Sequence, residues 1–123
     1  MKRLLILGAV LLSGCSSITF DGGQFDRYIT LTETSRSAIS LCGKPQIIDK
    51  VALLEAQISH INLYASYRKA SPEVMIASQK LHTMITEFSA SFETSQPSKT
   101  YCEEKIKNIS DSANLISGTL GAQ

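Results

Sequence analysis

An all-α fold, a small antiparallel up-down four-helix bundle closed by one disulfide, is the architecture that this 123-residue sequence predicts. Three observations lead there. Apolar residues recur at spacings of three and four over four stretches. Breaks at Cys42–Pro45 (CGKP), Ala70–Pro72 (ASP) and Ser95–Ser98 (SQPS) separate those stretches into bundle-like lengths. Cys42 and Cys102 fall at the end of the first stretch and the start of the last. In an up-down bundle those two points share a pole and belong to neighbouring helices, so the thiols can meet.

The N-terminal residues carry a different signal. Lys2 and Arg3 precede the apolar run Leu4–Leu12, followed by Ser13 and Gly14. A basic flank, a short apolar core and small residues make residues 1–14 a secretory signal peptide. The run is too short for a membrane span, which needs about 20 residues. The four residues Leu12-Ser13-Gly14-Cys15 resemble the lipobox of bacterial lipoproteins. That resemblance implies cleavage before Cys15, a diacylglyceryl thioether on its sulfur and acylation of the new amino group. One acyl chain anchors only marginally, at about 0.8 kcal/mol per buried methylene, whereas two or three hold firmly. An ordinary secretory cut that leaves Cys15 as a structural thiol is the competing reading. By the same resemblance, Ser16 in place of an aspartate implies sorting to the periplasmic face of the outer membrane. Residues 15–23 then form a lipidated tether ending in a Gly22-Gly23 hinge, and 24–123 a single helical domain. The eight residues that follow Cys15 reach at most about 28 Å, so the domain stays close to its membrane.

The first helix is the least regular. Phe25, Tyr28, Thr32, Ser35, Ile39 and Cys42 follow helical spacing, yet YITLTET alternates and is rich in β-branched residues. No second strand exists to pair with it, which favours helix. The second helix is the clearest: Ile47, Val51, Leu54, Ile58, Ile61 and Ala65 form one seam, with Pro45 suited to its first turn. Leu53, Leu63, Tyr64 and Tyr67 widen that surface toward further neighbours. The third opens on Ser71 as N-cap, Pro72 and Glu73, with a stripe of Val74, Ala77, Leu81, Met84, Ile85, Phe88 and Phe92. The fourth carries Cys102, Ile106, Ile109, Ala113, Ile116 and Leu120. Ser98 or Thr100 would cap it, Glu103 and Glu104 would occupy its first turn, and Gly118 would stop it.

Removing 14 residues from 123 leaves 109, enough for one domain. Ten basic and eleven acidic side chains remain, a net charge of −1 with no basic stripe, which argues against nucleic acid as a partner. With Cys15 lipidated, Cys42 and Cys102 are an even pair in an exported chain and read as a disulfide.

No catalytic pattern emerges. His60 and His82 lack metal-ligand spacing, and each flanks a seam position as a boundary residue would. The expectation is a non-enzymatic protein with no cofactor and no metal. It would be held to the membrane through its N-terminal acyl chains and would bind or block another envelope protein. Accessory subunits of envelope machines and exclusion or immunity factors share this build. Tyr64, Tyr67, Arg68 and Lys69 close the second helix with two aromatics and two cations, a candidate partner-binding patch. The alternative is a carrier of a small apolar ligand or lipid, in a cavity among Met75, Met84, Phe88 and Phe92.

Overall fold

In the computed structural model, which describes residues 22–121, the four amphipathic stretches bury their stripes against one another. Helix α1 spans Gly22–Ala38 and runs into a 3-10 turn at Ile39–Leu41. Helices α2 (Ile47–Tyr67), α3 (Pro72–Ala90) and α4 (Lys99–Gly121) follow. The chain runs up and down: α1 packs against α2 and α4, and α3 closes the ring. The pairs α1–α4 and α2–α3 share the largest interfaces, and α3–α4 the smallest.

The strand-like stretch YITLTET is helical. Small hydroxyls on α1 are satisfied within the helix. The hydroxyls of Thr30, Thr32 and Ser35 donate to the carbonyls of Asp26, Tyr28 and Leu31, at 3.0, 2.8 and 2.8 Å. Leu31, Thr32, Ser35 and Ala38 supply the buried face. Phe25 and Ile39, placed on the stripe by spacing, are only partly buried.

All six seam residues of α2 are buried. Leu53, Leu63 and Tyr67 do not widen the interface as expected; they face solvent, at 42, 55 and 79 % exposure. On α3 the buried position is Ser78 rather than Ala77, and Met84 and Phe92 sit at the margin of the core. Five of the six α4 stripe residues are buried, with Ile116 at the edge and Ser110 and Ser117 added.

Several element boundaries differ from expectation. Gly22 and Gly23 lie in the first turn of α1 rather than in a hinge. Pro45 precedes α2, in a turn where the Ile48 amide donates to its carbonyl at 3.3 Å. Because α4 starts at Lys99, Glu103 and Glu104 fall in its second turn, where Glu103 meets Lys99 at 3.9 Å. Gly118 does not stop α4; burial of Ser117 and Leu120 carries the helix through it. Two caps form where expected. Ser71 accepts from the Val74 amide at 3.4 Å, and Ser98 from the Tyr101 amide at 3.2 Å.

At one pole Cys42 and Cys102 form a disulfide between buried residues 60 positions apart, with Cα atoms 5.7 Å apart. Gly43 turns the chain there at φ +85°, a left-handed conformation that glycine adopts without penalty. The Gln96 side chain donates to the Lys44 carbonyl at 3.1 Å and ties the α3–α4 loop to the same pole.

Nearer the opposite pole, a polar seam crosses the core. Tyr28 on α1 is fully buried and faces Ser78 on α3, across the diagonal of the bundle, and Gln24 on its own helix. Its hydroxyl makes no hydrogen bond of ordinary geometry. Ser78 donates instead to Asn62 Oδ1, and Asn62 Nδ2 donates to His82 Nδ1 at 2.9 Å. Burial pushes the Tyr28 phenol above its ordinary value of 10.0, against a smaller opposing pull from Ser78 and Gln24. The folded state therefore holds that proton more tightly than the unfolded chain. This contribution is intact below about pH 10 and is lost as pH rises through the folded value. Tyr28→Phe should flatten the fall of stability above pH 10 and leave neutral-pH stability within about 1 kcal/mol. Urea midpoints at neutral and alkaline pH for both proteins measure this.

Candidate functional site

The aromatic and basic residues that end α2 lie at the pole where α1 begins. Tyr64 reaches over Gly23, at a spot where a Cβ would collide with the phenol ring. The Arg27 guanidinium stacks 3.8 Å from the centre of that ring, and its Nη1 donates to the Gly23 carbonyl at 2.9 Å. The glycine thus permits the close approach, and the arginine locks it. Tyr64 is half-buried against α1 in this way and separates from Tyr67, Arg68 and Lys69, all of which are exposed.

The α2 C-terminus explains why those three project. The Lys69 amide donates to the Ser66 carbonyl at 3.2 Å and the Ala70 amide to the Ala65 carbonyl at 2.9 Å. These are the two bonds of a Schellman motif, with Lys69 in its left-handed position at φ 52°. Glycine is the usual occupant, since a side chain there is strained. Lys69→Gly should accordingly raise stability by about 0.5–1 kcal/mol, read as an upward shift of the urea midpoint with an unchanged slope.

The remaining candidates are dispersed. His60 is exposed and edges a groove of about 320 Å³ between α1 and α2, lined also by Asp26, Arg27, Thr30, Gln57 and Ile61. In its wall Gln57 Nε2 donates to Thr34 Oγ1 at 3.0 Å. His82 is partly buried at the end of the polar seam. Among the described residues no group of three or more His, Cys, Asp or Glu side chains could hold a metal ion.

Among the described residues, Phe92 and the pair Met84 and Phe88 border separate cavities. Phe88 is buried and meets Phe92 edge to face, with centroids 5.2 Å apart at 81°. Phe92 lines a groove of about 230 Å³ with Ile48 and Glu55, whereas Met84 and Phe88 border a pocket of about 80 Å³ beside Tyr101 and Lys105. Met84 Sδ accepts from Ser112 at 3.8 Å.

The Arg27–Tyr64 stack and the polar seam were missed at the sequence level. Ser78 alone left a trace, as a polar residue between Val74 and Leu81 at helical spacing. Cys15 and the rest of residues 1–21 lie outside the described residues, and none of the described helices is long and apolar enough to cross a membrane. No protein-family model matches the chain, nor does any curated protein or solved structure.

Proposed function

We propose that the chain is a lipid-anchored protein of the bacterial envelope, facing the periplasm from the outer membrane, that binds or blocks another envelope protein without catalysing a reaction. The observation that carries this reading is the buried Cys42–Cys102 disulfide. Such bonds persist in oxidising compartments and are rare in the cytosol, so they accompany export. The sequence Leu12-Ser13-Gly14-Cys15 supplies the anchor by its resemblance to a lipobox. Leu63, Ile76 and Leu115 remain 55, 53 and 71 % exposed and offer apolar contacts for a partner.

In-cell cross-linking tests the reading. The acylated protein should yield one discrete adduct with an envelope protein. Cys15→Ser, which leaves the bundle untouched, should be released from the membrane and lose most of that adduct. Equal membrane recovery of the two forms, or no adduct from either, would count against it.

A second reading, a carrier of a small apolar ligand, finds its best support in the α1–α2 groove, whose 320 Å³ falls at the lower end of ligand pockets. Ala56 also lines that groove, and saturable uptake of a hydrophobic dye, lost in Ala56→Trp, would favour this reading.

A further inference from the structure

We infer that the end of the bundle bearing Tyr67, Arg68 and Lys69 rests on anionic lipid headgroups, so that the protein stands on its α2–α3 turn with the disulfide pole directed away from the membrane. This rests on the reading of Cys15 as a lipid anchor and assigns the aromatic–basic cluster to the membrane rather than to a protein partner.

Three observations support it. The first is connectivity. Because α1 begins at Gly22, only residues 16–21 separate it from Cys15. Six residues span at most about 21 Å in any conformation. The start of α1 shares its pole with the end of α2, where Tyr64 covers Gly23, and with the end of α4, where Phe25 meets Gly121. The anchor therefore holds this pole, and not the other, near the bilayer. Helix α2 alone has 21 residues, which puts the disulfide pole about 30 Å further out.

The second is chemistry. Tyr67 is 79 % exposed and is followed by two exposed cations. Tyrosine partitions to the membrane interface, and basic side chains close to an anionic leaflet add attraction that fades within a Debye length. Among the described residues, the acidic side chains at this end are Asp26 on α1 and Glu73 in the first turn of α3, where the helix dipole already favours a negative charge.

The third is backbone conformation. Lys69 occupies a left-handed position at φ 52° that glycine would fill with less strain. A cation kept at a conformational cost points to a use for its charge.

Depth-dependent quenching tests the orientation. The acylated protein, with Ser66→Cys or Gln96→Cys labelled by bimane, is reconstituted into phosphatidylglycerol-containing vesicles doped with headgroup spin-labelled lipid. Both positions are exposed, at opposite poles, and the buried disulfide is untouched by the label. Emission at position 66 should be strongly quenched and that at 96 should stay at its buffer level. Arg68→Gln with Lys69→Gln should restore much of the emission at 66 while the protein stays vesicle-bound. Equal quenching at the two positions, or stronger quenching at 96, would overturn the orientation and leave the anchor standing. Intact mass of the same sample reports acylation separately; an unmodified Cys15 would remove the anchor and this orientation with it.

Discussion

Replacing Cys42 and Cys102 with alanine should destabilise the bundle by about 4 kcal/mol, since the bond closes a 60-residue separation in the unfolded chain. For a domain of this size that corresponds to a fall in Tm on the order of 20 °C. The effect is assigned mainly to the unfolded ensemble. The bond joins the end of the 3-10 turn after α1 to α4. Helices α1 and α4 share one of the two largest interfaces, and each keeps buried apolar residues of its own, Leu31 and Ala38 on α1, Ile106 and Ala113 on α4. Helical circular dichroism at low temperature should therefore survive the substitution. The urea slope should rise as the freed chain expands on unfolding. A loss below about 1 kcal/mol would mean that the native bond carries strain or that the reduced chain is already compact.

Tyr28→Ala should be comparably damaging, at about 3–5 kcal/mol, the range for truncating a buried aromatic ring. Tyr28 is fully buried and spans from α1 toward Ser78 on α3, two helices that otherwise meet only across the diagonal of the bundle. Removing the ring leaves a void beside Gln24 and Ser78, both buried polar groups. The contrast with Tyr28→Phe separates the causes, because phenylalanine keeps the ring and removes only a hydroxyl without an ordinary hydrogen bond. If the two variants were equally unstable, the hydroxyl rather than the packing would be the source. Denaturant curves of the three proteins at neutral pH decide it.

The seam of α2 was legible because all six of its apolar residues obey one strict period, and burial follows that period without exception. Helix α1 was harder to read. Its buried face includes the polar residue Gln24, and Thr32 and Ser35, whose small size and local hydrogen bonds make them compatible with a core. Gly118 misled because a local stop signal is outweighed when Ser117 and Leu120 on either side bury. Leu53, Leu63 and Tyr67 misled in the opposite way, since hydrophobicity alone does not decide which face of a helix meets a neighbour. The meeting of Cys42 and Cys102 was legible from topology, as counting helix directions places both at one pole. The meeting of Arg27 with Tyr64 was not. It depends on the register of α1 against α2 and on Gly23 having no side chain, neither of which leaves a periodic trace.

The candidate patch shows the same division. Composition singled out Tyr64, Tyr67, Arg68 and Lys69 as a cluster, but only the fold splits Tyr64, bound to α1, from the three that project. Its position at the pole where α1 begins follows from chain direction rather than from any motif.

Intact-mass spectrometry of the protein extracted from membranes tests most directly the claim that a disulfide-closed bundle is tethered by fatty chains. The expected species begins at Cys15, carries the diacylglyceryl and acyl additions, and has Cys42 and Cys102 linked. A chain recovered from the cytosol with residues 1–14 intact, no lipid on Cys15 and three free thiols would contradict it.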